Sequence, residues 1–287
     1  MSTAINCKAI AEKIEAEARE MATNFLATTG RHPMLMTIVA NDDPASKRYV
    51  RNKMRACERC GIAHEGRTLA DSKEIGSFLW RCGQYASVDG VMLQLPVYDG
   101  LNAGEFIRLI SPAKDVDCLT VQNMGKLALG DNSFMPATVA GIMRLFKSEQ
   151  YDLRGKTVVI RGRSNIVGKP LALAMINAGA TVVIKNSQSD YVDDCLGEND
   201  MVDVIVDATG SAGSQCFYPL LCDYYIDITT VVGEDGKLHG SLDMSTDFDD
   251  ESDIQFTPVP RGVGLLTCAQ LAWNTAYLAC KQAGIEA

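Results

Sequence analysis

The sequence predicts a two-domain α/β protein built on parallel sheets. Three observations lead there. The chain has 287 residues, more than one average domain of roughly 100–200 residues holds. Short apolar runs alternate with longer stretches of helical spacing, in two separate series. Such alternation predicts parallel strands with helices on both faces. In the second series a glycine-bearing turn, Gly162 to Gly168, joins a strand to a helix.

The elements follow in order. Residues 5–29 are rich in Ala and Glu at helical spacing, and Gly30 ends the run. Residues 34–40 form an apolar strand. Ser46 to Cys60 reads as a helix closed by Gly61, and Ile62 to Leu69 as a second strand. Ser72 to Tyr85 is helical, Val88 to Leu95 is a strand ended by Pro96, and Asn102 to Ile110 is a further helix. The second series opens after Tyr151. It has strands at 157–160, 181–184, 202–206 and 225–228, and a helix over Leu171 to Ala178. Residues 247–253 read as a solvated acidic loop. A final helix, Thr267 to Ala283, follows a Pro/Gly-rich turn and is expected to pack back on the first domain. The division expected is 1–148 with 267–287, and 149–266.

Composition narrows the function. A hydrophobic content of 47% suffices for packed cores. A net charge of −9 argues against nucleic acid, which calls for a basic face, but leaves room for a local anion pocket. No run of about 18 apolar residues predicts a membrane span. The first twenty residues hold no apolar stretch of signal-peptide length. Ten cysteines without a signal read as reduced thiols, which points to the cytosol. Cys57 and Cys60 form a lone C-x-x-C with no second Cys/His pair at zinc spacing, so no metal site is expected.

The strand–turn–helix at 157–178 is the arrangement that takes a dinucleotide in a Rossmann-type domain. Glycines let the backbone approach the pyrophosphate, and the helix start offers free N–H groups. The full G-x-G-x-x-G fingerprint is absent, so the pattern alone leaves a plain βα turn open. The next strand ends Lys185-Asn-Ser187, without the carboxylate that holds an NAD ribose. Arg163 and Ser187 could bind a 2′-phosphate there, which favours NADP over NAD.

Five segments, in order, carry a resemblance: Tyr49-Val-Arg-Asn-Lys53 with the following 56–62, Val91-Met-Leu-Gln-Leu-Pro96, Pro112-Ala-Lys-Asp-Val-Asp117, Gly162-Arg-Ser-Asn-Ile-Val-Gly-Lys-Pro170, and Thr257-Pro-Val-Pro-Arg-Gly-Val-Gly264 with Thr267. Together they resemble the bifunctional methylenetetrahydrofolate dehydrogenase/methenyltetrahydrofolate cyclohydrolase family. Departures stand at Cys118, at Pro136 to Gly141, at Asn186, at Gly240 to Asp243, and at Arg261 and Leu265.

The resemblance implies an enzyme of one-carbon metabolism that takes tetrahydrofolate derivatives and NADP. It implies Lys53, Tyr49, Gln94 and Asp117 as catalytic residues. Tyr49 and Lys53, four apart, share a helix face. Gln94 ends an apolar strand, where a parallel sheet presents its active edge. A carboxylate such as Asp117 can accept two N–H groups of a pterin, whereas Asp115 reads equally as a capping residue. Dinucleotide contacts are implied at Gly162, Arg163, Ser164, Val167, Gly168, Ser187 and Thr229. Substrate contacts are implied at Tyr49, Asp117, Pro260, Gly262, Gly264 and Thr267. A homodimer through the nucleotide domain is implied as well, with the strands between 202 and 228 as the expected apolar supply. A binding protein without turnover, or a different Rossmann oxidoreductase, would share parts of this pattern. The second would not be expected to carry Tyr49, Lys53, Gln94 and Asp117 together.

Overall fold

The structure, a computed structural model, describes residues 2–186, 189, 202–210, 222–233, 237–241 and 253–286. The chain falls into two compact units, residues 11–137 with 267–287, and residues 1–10 with 138–266. It opens with a two-residue strand β1 (Thr3–Ala4) and a long helix α1 (Cys7–Thr29).

The unit of residues 11–137 and 267–287 carries β2 (Met34–Val39), α2 (Pro44–Arg59), β3 (Ala63–Thr68), α3 (Ser72–Gln84), β4 (Gly90–Gln94), α4 (Ala103–Ile107) and α5 (Val121–Ala128). Its sheet runs β3-β2-β4, all parallel, with Val39 opposite Gln94. β2 and β4 are apolar and almost wholly buried, as strands covered on both faces must be. A bridge between Val91 and Asp115 extends the sheet past β4. Asp43 starts α2: its carboxylate accepts from the N–H groups of Ala45 and Ser46, and Pro44 stands first in the helix, where its missing N–H is not needed. The last helix, α8 (Val263–Gln282), packs its Leu271, Ala272, Ala276 and Ala279 into one core with Phe25, Leu35 and Met92.

The other unit holds most of α6 (Ala137–Ser148), then β5 (Thr157–Arg161), α7 (Gly168–Asn177), β6 (Thr181–Lys185), β7 (Val204–Asp207), β8 (Tyr224–Asp227), the short pair β9 (Val231–Val232) and β10 (Leu238–His239), and β11 (Gln255–Phe256). Its six-stranded sheet is parallel throughout, in the order β1-β11-β8-β7-β5-β6. The carboxyl ends of β5, β7 and β8 therefore lie side by side.

Several features depart from the sequence expectation. α5 and α6 lie in a stretch, residues 111–150, where the pattern assigns no element. α8 begins four residues early, at Val263. The strands between 202 and 228 occupy central positions and are buried in their own sheet, so they cannot supply an exposed apolar face. The exposed apolar side chains of this unit are instead Ile166, Ile176, Ile184 and Val232 among the described residues. Cys118 and Arg261, two of the departures named above, both hold positive φ, 55° and 80°. No described helix is long and apolar enough to cross a membrane.

Candidate active site

In the first unit, α2 starts at the carboxyl edge of the β3-β2-β4 sheet, just after β2, and buries Lys53. Its Nζ donates to Oε1 of Gln94, 3.3 Å away, and lies 3.2 Å from the sulfur of Met92. Both acceptors stand on β4, two residues apart and so on the same face. The ammonium also sits 4.9 Å from the centre of the Tyr49 ring, one turn back on α2. Gln94 donates its own amide to the Leu95 carbonyl at 2.6 Å, which turns its oxygen toward the lysine. Tyr49 is half-buried. Burial pushes its hydroxyl pKa up, and a hydrogen bond with Thr267 acts against that.

The two aspartates of the 112–117 segment differ sharply. Asp115 is buried and saturated: Leu119 N, Thr120 N and Asn123 Nδ2 donate to it at 3.1, 2.8 and 3.0 Å. It is a loop-capping residue. Asp117 is half-buried and has no hydrogen bond or ion pair among the described residues. Burial raises its pKa, the Lys53 ammonium lowers it, and Asp115 raises it again. Lys114 is likewise structural. Its Nζ donates to the carbonyls of Cys82 and Tyr85 and so closes the end of α3.

In the second unit the turn after β5 is tight. A Cβ on Gly162, at φ 110°, would stand 2.6 Å from the Ala208 carbonyl, and one on Gly168 would overlap the carbonyl of Gly162. Both positions demand glycine. Ser164 Oγ accepts from the N–H groups of Val167 and Gly168 at 3.1 and 3.4 Å, which starts α7. Arg163 is exposed, with no partner among the described residues. No carboxylate follows β6 as far as Asn186. These residues fit a dinucleotide phosphate group.

Behind the turn lies a buried polar network. Arg161 donates to Asp207 at 2.7 Å. Thr209 donates to Asp207 through its N–H and its hydroxyl, and the Thr229 hydroxyl adds a bond at 3.1 Å. Asp227 accepts from Thr229 N and Ser241 N at 2.9 and 2.7 Å. Burial pushes the Asp227 carboxyl up to about 6 against these bonds, and neighbouring Asp207 pushes the same way.

Comparison with known proteins also finds two domains, though the second model takes in residues 267–283 of the first unit. The model of the tetrahydrofolate dehydrogenase/cyclohydrolase catalytic domain matches residues 5–117, and that of the family's NAD(P)-binding domain matches residues 136–283. The chain belongs to the tetrahydrofolate dehydrogenase/cyclohydrolase family. It is 37% identical over 282 residues to the bifunctional protein FolD of Magnetococcus marinus, covering 96% of each chain. It is 41% identical over 282 residues to that of Nitratidesulfovibrio vulgaris, covering 93% of this chain and 94% of the relative. The crystal structure of the FolD dehydrogenase/cyclohydrolase from Campylobacter jejuni superposes with a TM-score of 0.88 at 32% identity, covering 98% of this chain and all of the other. The Trypanosoma brucei enzyme, solved with NADP and an inhibitor, gives 0.87 at 26% identity, with 98% of each chain covered.

This FolD relative gathers Lys53, Tyr49, Gln94, Asp117 and Thr267 in one unit. Gly162, Arg163, Ser164, Val167, Gly168 and Thr229 lie in the other, at the carboxyl edge of its sheet. The Thr229 hydroxyl is engaged by Asp207 and by the N–H of Gly210. Ser187 falls outside the described residues. Pro260, Gly262 and Gly264 belong to the second unit. Gly262 packs against the Pro258 carbonyl, whereas Gly264 faces open space. A cavity of about 420 Å³ in the first unit is a separate feature. Its wall residue Gln282 donates to the Asp89 carbonyl, at the opposite end of β4 from Gln94. Sequence reasoning missed Met92, Gln270 and Asn274. Met92 was detectable in principle, since strand alternation puts it on the face of Gln94.

Proposed function

We propose that this protein oxidises 5,10-methylenetetrahydrofolate to the 5,10-methenyl form with NADP, and hydrolyses that product to 10-formyltetrahydrofolate. One observation carries the reading: a buried lysine held by Gln94 and Met92 over a tyrosine ring, with an unpaired carboxylate whose pKa responds to it. Both family domains accompany it.

NADP supplies the hydride acceptor. The remaining work falls to the chain. The Tyr49 ring offers a flat surface for the pterin or aminobenzoyl ring. Asp117 accepts the pterin amino and ring N–H groups, which restore the solvation its burial removes. Gln94 and Met92 fix the Lys53 ammonium beside the reacting carbon. Hydride loss leaves a cation delocalised over two nitrogens. In hydrolysis the attacking water loses both its protons as the formyl group forms, one going to the departing nitrogen and one to solvent, and Lys53 relays them. Arg163, exposed and unpaired, takes the ribose 2′-phosphate. Gly162, Val167, Gly168 and the start of α7 take the pyrophosphate.

We assign folate contact also to Thr267, Pro260, Gly262 and Gly264, and dinucleotide contact to Ser164, Ser187 and Thr229. We assign the folate function to residues 1–148 with 267–287, the division the sequence suggests, of which 1–10 and 138–148 pack with the nucleotide unit. The protein works in the cytoplasm, which the free thiols of all eight described cysteines support. It is a homodimer through the nucleotide unit, where Ile176, Ile184 and Val232 are the exposed apolar supply.

A coupled assay with purified protein tests the reading. With methylenetetrahydrofolate, NADP should be reduced and 10-formyltetrahydrofolate should accumulate, with NAD a poorer acceptor. Absence of both products sinks it. Light scattering should give a particle of twice the chain mass.

A further inference from the structure

We propose that Asn274, oriented by Gln270, is a positioning residue that aims the Asp117 carboxylate. The proposal rests on Asp117 being the folate-binding carboxylate assigned above.

Asn274 lies on α8 and is completely buried. Its Nδ2 donates to the carbonyl of Val116 at 2.8 Å and to that of Met135 at 3.2 Å. Two carbonyl acceptors on one side of the amide fix which end is nitrogen. Oδ1 must then face the other way. There it accepts from Nε2 of Gln270, one turn earlier, at 2.9 Å. This leaves Gln270 Oε1 buried without a partner among the described residues. Turning the Gln270 amide over would set oxygen against oxygen, so the orphan acceptor is the consequence of holding Asn274 in one orientation. A buried polar group left unsatisfied calls for a reason.

The reason lies in what Asn274 grips. Val116 immediately precedes Asp117. On the other side, Cys118 holds φ 55° and its Sγ donates to the Phe134 carbonyl at 3.5 Å. Phe134 adjoins Met135, the second carbonyl that Asn274 holds. Both flanks of Asp117 are thus tied to one short stretch, 134–135, and Asn274 joins that stretch to Val116 and to α8. Asp117 itself has no hydrogen bond among the described residues to aim it, so its backbone must do so. The same face of α8 carries Thr267, which bonds Tyr49. Positions 267, 270 and 274 share that face. One helix stripe therefore touches the stacking ring at one end and the carboxylate loop at the other, while neither amide is a partner of Lys53 or Gln94.

A simple filler of a polar gap would act on stability alone. A positioning residue acts on folate more than on NADP. The parent enzyme is assayed first; if it forms no NADPH, the functional reading fails and the proposal that rests on it is overturned with it, whereas the variants below judge the proposal alone. Gln270→Glu replaces the donor to Asn274 by an acceptor. The Asn274 amide then turns over to donate to it and sets its own oxygen against the Val116 and Met135 carbonyls. The KM for methylenetetrahydrofolate should rise on the order of tenfold or more, as expected when hydrogen bonds are replaced by opposed acceptors, with the KM for NADP unchanged. Gln270→Met conserves volume and removes the donor and the orphan acceptor together, so it keeps the fold. It should raise the folate KM by about three- to tenfold, the worth of one hydrogen bond. In an Asp117→Asn background either change should add little, because its target is already lost. A parental folate KM in Gln270→Met, equal losses for folate and NADP, or the same fold-loss with and without Asp117 would each overturn the proposal.

Discussion

Beyond β4, Asp117 has no hydrogen bond among the described residues, and Lys53 leans on one amide oxygen and one thioether. At the end of β7, Asp207 accepts from Arg161, from the N–H and hydroxyl of Thr209, and from Thr229. Both places are carboxyl edges of parallel sheets, and both bury charge. They differ in what is left open. Among the described residues, the second edge spends its carboxylates and hydroxyls on its own loops and offers backbone and the exposed Arg163. The first holds its backbone from behind and leaves a lysine, a ring and a carboxylate with unused capacity. Buried groups with unused capacity cost stability, so their presence marks chemistry rather than support.

The contrast breaks most readily at Lys53. Lys53→Gln should lower hydrolysis of methenyltetrahydrofolate by about 10²–10⁴-fold, the usual worth of a positioned proton carrier. Folate and NADP binding should survive, since glutamine keeps a hydrogen bond to Gln94. Dehydrogenase activity should fall less. Consumption of methenyltetrahydrofolate and formation of NADPH are followed separately. Hydrolysis at the parental rate would return Lys53 to the status of an ordinary helix lysine.

The saturated edge should answer to pH instead. Asp227, buried, carries a pKa raised from 3.8 to about 6. The folded state therefore holds its proton more tightly than the unfolded chain. The contribution to stability is largest with the proton on, below about pH 4, and is lost as pH rises through about 6. Its size is about 3 kcal/mol at most. Asp227→Asn removes the titration. The difference in unfolding temperature between parent and variant, measured from pH 4 to 7, should shift in favour of the variant as pH rises. Parallel curves would show that Asp227 titrates normally.

A middling effect is expected at the exposed Arg163 of the nucleotide edge. Arg163→Ala should weaken NADP binding by roughly 10- to 100-fold, the range for hydrogen bonds to a charged group, and leave NAD binding nearly unchanged. Equal losses would move the 2′-phosphate elsewhere.

How much of this was readable in the sequence depends on range. The strand–helix alternation, the glycine turn at 162–168 and the pairing of Tyr49 with Lys53 are local, and local patterns survive in one dimension. Asp117 was preferred over Asp115 through resemblance; their different partners supply the physical ground, which spacing could not. α5 was missed because eight residues with Gly125 inside carry too few helical repeats. α6 contains Gly141, where a Cβ would meet the Leu266 side chain at 2.9 Å. That glycine answers to a neighbour more than a hundred residues away, and in the sequence it looks like a breaker. Gln270 and Asn274 were invisible for the same reason: their partners are carbonyls, which every residue has.

The smallest effect gives the finest test of the two edges. Cys118 and Arg261 both hold positive φ, where a non-glycine residue costs about 1–2 kcal/mol. Glycine would relieve that strain at either place, less about 0.5–1 kcal/mol for its greater freedom when unfolded. The side chains lost are not equivalent. Arg261 is exposed and has no partner among the described residues. Arg261→Gly should therefore gain about 0.5–1 kcal/mol, seen as a rise of roughly 1–4 °C in unfolding temperature. Cys118 is fully buried and its thiol reaches the Phe134 carbonyl. Its removal forfeits a buried side chain and leaves a small void, which offsets the relief. Cys118→Gly should be neutral or slightly destabilising, and the freed loop should raise the folate KM. A stabilised Cys118→Gly enzyme with an unchanged folate KM would show that the thiol does not hold the Asp117 loop. The support behind that edge would then have to come from Asn274 alone.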